Sequence, residues 1–181
     1  MDVEQAVRRI RVIRRFNDTP VSDDDVRAIL NAGRRAGSSK NEQRWHFIVV
    51  RDRQRLHRLA DVGPYAGHLA GANAAIALVT PVVTAAAAAQ ARSVMWDLGR
   101  AAQNMVLVAW ERGIGSAPAT VYQQDLARDV LGYPAEQHCE YLLSLGYPAD
   151  PGALTRPPRA GGRQPLAGLV SAETWSQTAD L

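Results

Sequence analysis

The chain has few cysteines, lysines and aromatic residues. One cysteine, Cys139, stands among 181 residues, so no disulfide can close within the chain. That pattern predicts a reducing, cytoplasmic environment. Lys40 is the single lysine, and the other 20 basic residues are arginine. Arginine suits bidentate contacts with phosphate, but GC-rich coding gives the same excess, so the arginine count alone assigns no ligand.

Several functional classes lack their usual signatures here. The longest apolar run, residues 73–89, is interrupted by Thr80, Pro81 and Thr84; it predicts a strand leading into a helix, not a membrane span. The polar first residues predict no secretory leader. The four histidines lack zinc-site spacing, and the glycines of residues 113–118 follow a helix instead of a strand, unlike a dinucleotide-binding turn. We therefore expect no metal, membrane or nucleic-acid partner.

The remaining pattern predicts one α+β domain with a mixed sheet. Ser22 with Asp25 forms a capping box before a helix, and residues 124–131 form a second helix. Continuous or alternating apolar residues predict strands at residues 45–50, 74–79, 141–145 and 165–170. A long helix at residues 84–112 is apolar nearly all round. A chain of this size can hardly surround such a helix, so we expect it to lie at a subunit interface.

Residues suited to binding phosphate are scattered along the chain. They are Arg11 and Arg14 near the N-terminus, Ser38, Ser39 and Asn41 in a polar loop, and Arg163 in a segment rich in proline, glycine and arginine. Surface charge explains each arginine alone, and ordinary loop chemistry explains the serines and the asparagine. Their order along the chain is what favours a shared site.

The order of these motifs resembles the flavin-dependent nitroreductase family over nearly the full length of the chain. The segments that carry the resemblance are "RVIRRF", "PVSDDDVRAIL", "GSSKNEQRWHF", "DLGRAAQNMVLVAWERGIG", "SLGYP" and "RQPLAGLVSAETW". Four positions depart from the family pattern: Val12 replaces serine, Gly37 and Arg44 replace prolines, and Asn73 stands where Ala-Pro is common.

The resemblance implies a homodimer with FMN at the interface. It also implies a flavin-binding core at residues 1–147 and a C-terminal arm, residues 148–181, exchanged onto the partner. Carried over by position, one subunit contributes residues near its N-terminus, after the long helix and in the arm, and the other contributes the polar loop. The implied cofactor-binding residues are Arg11, Val12, Ile13, Arg14, Ser38, Ser39, Asn41, Pro118, Ala119, Thr120 and Arg163.

The function implied by the resemblance is NAD(P)H-dependent reduction of a nitroaromatic, a quinone or a similar small acceptor through FMN. No protein acid or base is singled out as catalytic. Two alternatives stay open. One is a flavoenzyme of the same fold with other chemistry, such as dehalogenation, dehydrogenation or flavin breakdown. The other is a module that binds FMN without turnover.

Overall fold

The computed structural model describes residues 2–83, 88–157, 162–175 and 177. The predicted start of the long helix at Thr84 and the end of the predicted C-terminal arm lie outside these residues. Within the described residues, five helices and four strands alternate irregularly, with short 3-10 turns between them. In order they are α1 (Val3–Arg9), α2 (Asp23–Arg34), β1 (His46–Val50), α3 (Arg53–Leu59), β2 (Ala74–Pro81), α4 (Ala88–Glu111), β3 (Gly115–Thr120), α5 (Gln124–Leu131) and β4 (Gln137–Gly146).

The four strands form one sheet in the order β1-β2-β4-β3. All three neighbouring pairs are antiparallel. Within the described part of the chain, the parallel component of the expected mixed sheet is a single bridge between Val12 and Ser116. The predicted α+β class is confirmed.

The sheet lies between two hydrophobic layers. Strand β2 is buried on both faces because its apolar side chains alternate between them. Ala75, Ala77 and Val79 pack with α3 and α5. Ala74, Ile76 and Leu78 pack on the other face with α2 and α4.

The structure differs from the sequence predictions in two strands. Residues 165–170 do not form a strand: Leu166–Gly168 is a 3-10 turn, in a segment too rich in proline and glycine to pair. Strand β3 was not predicted, because Gly115–Thr120 lacks an apolar run and contains Pro118. That proline is tolerated because β3 lies at the edge of the four-stranded sheet. Helix α4 is not fully covered within the single chain, since Trp96 is 71% exposed, and its place at a subunit interface stays a prediction.

One carboxylate joins three parts of the fold. Asp25 lies in the first turn of α2, where its Oδ2 atom accepts a hydrogen bond from the Ser22 hydroxyl at 2.6 Å. Its Oδ1 atom receives Arg112 from the end of α4 at 2.7 Å, and the Tyr147 hydroxyl donates to Oδ2 at 3.2 Å. The Ser22 hydrogen bond and then the Arg112 guanidinium lower the pKa of Asp25.

We expect Asp25→Asn to destabilise the protein by about 1.5–3 kcal/mol at neutral pH, the value typical of hydrogen bonds to a charged group. The pKa is lowered in the folded state, so this stabilisation is present above the ordinary value of 3.8. It is lost as the pH falls through the folded-state pKa. Urea unfolding at several pH values measures both effects.

Asp24→Asn is the matched control, because the Asp24 side chain is 89% exposed and meets Arg27 only at 4.0 Å. We expect it to change stability by less than about 0.5 kcal/mol. Equal losses in the two variants would show that Asp25 does not join these elements.

Candidate functional site

A cleft of about 310 Å³ opens beside the edge strand β3. The N-terminal segment that follows α1 forms one side, helix α4 forms another, and strands β3 and β4 form the floor. The lining residues are Ile10, Arg11, Val12, Gly99, Ala102, Gln103, Val106, Ser116, Pro118, Leu143 and Arg163.

The charged side chains that line this cleft are all positive. Arg11 and Arg163 both line it, and neither aspartate nor glutamate is among the described residues that do. Two guanidinium groups without a carboxylate between them favour an anionic ligand. The remaining walls are largely apolar, with Val106, Pro118 and Leu143 facing the same space.

Arg11 is held by backbone carbonyls of its own chain. Its Nε and Nη2 atoms donate to the Arg156 carbonyl at 3.1 and 2.5 Å, and Nη1 donates to the Arg9 carbonyl at 2.9 Å. The Arg156 side chain is in turn paired with Asp150. The start of the arm therefore orients the guanidinium that faces the cleft.

The N-terminal segment is seated against β3 by one main-chain contact and one close approach. The Ile13 amide donates to the Ser116 carbonyl at 2.9 Å, and the Ile13 side chain is buried. Gly115 allows this approach, since a Cβ atom there would lie 2.5 Å from the Ile13 Cβ. The segment therefore enters the cleft wall in a fixed register.

The polar loop at residues 37–43 is strained. Lys40, Asn41 and Gln43 have φ angles of 52°, 57° and 48°, a left-handed conformation that non-glycine residues rarely adopt. The Ser38 hydroxyl accepts a hydrogen bond from the Gln43 amide at 3.0 Å and closes the turn. Strain of this kind clusters at ligand sites and switch regions.

The same loop is fixed to helix α4. The Ser39 amide donates to Oδ2 of Asp97 at 2.8 Å, and Asp97 is only 8% exposed. A Cβ atom at Gly37 would lie 2.6 Å from a terminal nitrogen of Arg100, so glycine leaves room for that guanidinium. The first residues of the loop are thus held against their own α4.

The structure brings some of the predicted site residues together and separates others. Arg11, Val12, Pro118 and Arg163 line one cleft. Ile13 and Ala119 are buried in the fold, and Thr120 is half-buried at the end of β3. Arg14 is exposed on the N-terminal segment. Ser38, Ser39 and Asn41 lie together on the loop but are not among the described residues that line this cleft.

The departures from the family pattern have local explanations. Val12 is half exposed at the cleft and offers no hydroxyl there. Arg44 pairs with Glu42, so its charge is balanced within the loop. The side-chain amide of Asn73 donates a hydrogen bond to the Asn17 carbonyl at 3.0 Å, so Asn73 has a structural role.

The sequence did not reveal the contribution of α4 to the cleft. Gly99, Ala102, Gln103 and Val106 recur at three- and four-residue spacing and so share one helix face. Small and polar residues at this spacing could have indicated that this face of the helix lines a site. The nearly continuous apolar pattern of the helix hid it.

His68 was considered in the sequence only as a metal ligand, and it is not among the described residues that line the cleft. Its Nδ1 atom is 2.9 Å from the hydroxyl of Ser144, and Nε2 is buried without a partner among the described residues. Burial lowers the pKa of His68, and the Arg14 guanidinium lowers it further. The Pro118 carbonyl acts in the opposite direction.

Other candidate chemistry is absent from the described residues. Burial raises the pKa of the Cys139 thiol to about 12, so the thiol stays protonated and unreactive at neutral pH. Across residues 2–83, 88–157, 162–175 and 177, no three His, Cys, Asp or Glu side chains are grouped to hold a metal ion. None of the described helices has the length and hydropathy needed to cross a bilayer.

Comparisons with known proteins agree with one another. A model described as "Nitroreductase family" matches residues 7–147. A protein of Archaeoglobus fulgidus named "Putative NADH dehydrogenase/NAD(P)H nitroreductase" is 37% identical over 146 residues, which cover 77% of this chain and 82% of that protein.

Solved structures give the same result. The "putative nitroreductase in complex with fmn" of Desulfovibrio desulfuricans is 31% identical, with a TM-score of 0.74 over 97% of this chain and 98% of that one. The "FMN-dependent Nitroreductase" of Clostridium difficile R20291 is 26% identical, with a TM-score of 0.70 over 80% of this chain and 87% of that one.

We expect Gly115→Ala to destabilise the protein by about 1–3 kcal/mol, because the added methyl group overlaps Ile13 and pushes the N-terminal segment off β3. Gly99→Ala is the control. It also lines the cleft, but a Cβ atom there meets nothing within 4 Å, so the helix should gain up to about 1 kcal/mol. Urea unfolding distinguishes them, and a harmless Gly115→Ala would contradict the close approach.

Proposed function

The chain belongs to the nitroreductase family, and we propose that it is an FMN-dependent oxidoreductase that takes electrons from NAD(P)H and passes them to a small acceptor. A nitroaromatic or a quinone suits that acceptor. The named relatives support this proposal, since one is described as an NAD(P)H nitroreductase and another was solved with FMN. A cytoplasmic location is part of the same proposal.

The observation that carries the proposal is that the charged side chains lining the cleft are all positive. Arg11 and Arg163 approach it from the two ends of the chain, and none of its described lining residues is acidic. A ribityl phosphate needs such a pair, because charge-assisted hydrogen bonds from arginine to phosphate are short and strong. The residues present therefore fit the phosphate end of FMN.

The rest of the cleft fits a flat, largely apolar ring. Val106, Pro118 and Leu143 provide apolar walls. Gly99 and Ala102 have small side chains and leave room for the ring on the α4 side. Bound FMN supplies the hydride and electron chemistry. The chain's own contribution is to hold the phosphate with arginine and to exclude water from the ring with these side chains.

A second copy of the chain completes the proposed site. Helix α4 exposes Trp96 at 71% and Met95 at 38%, and an exposed tryptophan on a long helix favours a partner surface. The cleft of about 310 Å³ in one chain is at the lower end of ligand sites. We propose that the partner's Ser38, Ser39 and Asn41 close it, together with Arg14, Ile13 and the backbone of Ala119 and Thr120 from the first chain.

The proposed arm exchange belongs to the same dimer. The described part of the arm begins on its own chain, where Pro148 bridges Phe16 and the Ala149 amide donates to the Arg15 carbonyl at 3.0 Å. We propose that the arm reaches the partner only beyond Arg163, which lines the cleft of its own chain. Light scattering should give a dimer at micromolar concentration, and a stable monomer would contradict the shared site.

We expect the purified protein to bind about one FMN per chain and Arg163→Ala to weaken that binding about 10- to 150-fold. That range corresponds to the loss of one charge-assisted contact of about 1.5–3 kcal/mol. Fluorescence titration at one ionic strength measures the dissociation constants.

Arg156→Ala is the matched control from the same basic arm. Its side chain pairs with Asp150, and its backbone carbonyl, which holds Arg11, stays in the variant. The expected loss is therefore several-fold smaller than that of Arg163→Ala. Equal losses would mean that the arm attracts the ligand without coordinating it.

Anaerobic addition of NADH or NADPH distinguishes an enzyme from a flavin-binding module. We expect the absorbance of the bound FMN to bleach, and then to return when a quinone or nitroaromatic is added. Bound FMN that stays oxidised with both nucleotides would contradict the proposed activity while leaving FMN binding intact.

A further inference from the structure

Helix α4 carries a carboxylate, Asp97, to which the proposed function gives no role. Its side chain is nearly buried, at 8% exposure, and its Oδ2 atom accepts a hydrogen bond from the Ser39 amide at 2.8 Å. No other described residue donates a hydrogen bond to this carboxylate or forms an ion pair with it. Since burying a charge without a polar partner is costly, the contact with the polar loop accounts for a carboxylate at this position.

The polar loop needs a contact of this kind from outside itself. Ser39 is the first residue of the 3-10 turn Ser39–Asn41, and the preceding Ser38 provides no side-chain cap for it. The first N–H groups of a helical segment have no partner within it, and Asp97 accepts from one of them. Gly37 stands where the family pattern has proline, so the φ angle before the turn is not fixed covalently. The strained turn is thus held at its start by Asp97.

The loop and the cleft of the same chain lie on opposite faces of α4. Because each residue advances about 100° around a helix axis, Gly99 and Val106 lie about 200° and about 180° away from Asp97. Both of these residues line the cleft. The body of the helix, about 10 Å across, therefore separates the anchored loop from the cleft of its own chain. This is the geometry expected of a loop that serves the cleft of a second copy.

We propose that Asp97 is a positioning residue for the flavin site: it holds the loop in the conformation in which Ser38, Ser39 and Asn41 close the cleft of the partner chain. The proposal rests on the proposed function for the ligand, FMN, and for the dimer. With its amide engaged by Asp97, Ser39 offers its hydroxyl to the ligand. The effect is preorganisation, because a loop that is already ordered loses less conformational freedom when FMN binds.

The first experiment needs no flavin. Hydrogen exchange of the Ser39 amide is followed by NMR in the ligand-free protein, for the wild type and for Asp97→Ala. We expect the amide to exchange at least about tenfold faster in the variant, the effect of losing one hydrogen bond to a charged group. Ser39 is exposed, so water can replace the carboxylate and the variant should fold. An unchanged exchange rate would overturn the proposal.

Asn104→Ala is the matched control. Asn104 lies on the same face of α4 as Asp97, about two turns further along the helix, and its side chain donates to the Ala32 carbonyl at 3.3 Å. The control therefore removes a hydrogen bond of α4 without touching the loop. We expect it to leave Ser39 exchange and FMN binding unchanged, while urea unfolding measures the stability lost in each variant. Equal losses of FMN affinity in the two variants would indicate a general loss of stability and would contradict positioning.

The second experiment measures FMN dissociation constants by fluorescence titration. We expect Asp97→Ala to bind FMN about tenfold more weakly than the wild type. Asp97→Asn keeps an oxygen acceptor at the same place and should recover most of this loss. An Asp97→Ala protein with wild-type affinity would overturn the proposal. Failure of the wild type to bind FMN would instead contradict the proposed function, and the exchange experiment would still decide whether Asp97 holds the loop.

A mixed dimer tests which cleft Asp97 serves. Chains carrying Asp97→Ala and Arg163→Ala receive different affinity tags, are co-expressed and are purified as the heterodimer. If each loop serves the partner, one cleft has an intact Arg163 and an intact loop, and the other has both defects. We therefore expect half of the FMN sites to bind with wild-type affinity. Weakened binding at both sites would mean that Asp97 acts on the cleft of its own chain, which would overturn the proposal.

Discussion

The pairing of the N-terminal segment with strand β3 fixes the wall of the cleft that carries Arg11 and Val12. The hydrogen bond from the Ile13 amide to the Ser116 carbonyl fixes the register. Gly115 permits the close approach. Ile13 is buried, Arg11 and Val12 before it line the cleft, and Arg14 after it is exposed. A shift of one residue would exchange an arginine for an apolar side chain.

The cleft has two parts, one positively charged and one apolar. Arg11 and Arg163 concentrate positive charge where no described lining residue is acidic, and the backbone carbonyl of Arg156 orients the Arg11 side chain. The α4 stripe and Leu143 provide apolar contact area.

The sequence predicted those parts of the fold that depend on local chemistry. Helix α5 was predicted with the bounds the structure has, because its apolar face ends at Gly132, which adopts the left-handed conformation at φ 73°. The cap of α2 by Ser22 could also be predicted, because its partner Asp25 is only three residues away. Strand β3 was missed because its pairing partner β4 is distant in sequence and Pro118 weakens the signal. The His68–Ser144 contact joins residues 76 positions apart, and no local pattern encodes it.

The central claim is that paired arginines hold the phosphate of a flavin, and the ratio of the dissociation constants for FMN and riboflavin tests it most directly. Both ligands carry the same ring, so apolar contact area cancels in the ratio when buffer, pH and ionic strength are held constant. The account predicts that riboflavin binds at least about tenfold more weakly, since each charge-assisted contact contributes about 1.5–3 kcal/mol. Equal affinity for the two ligands would contradict it.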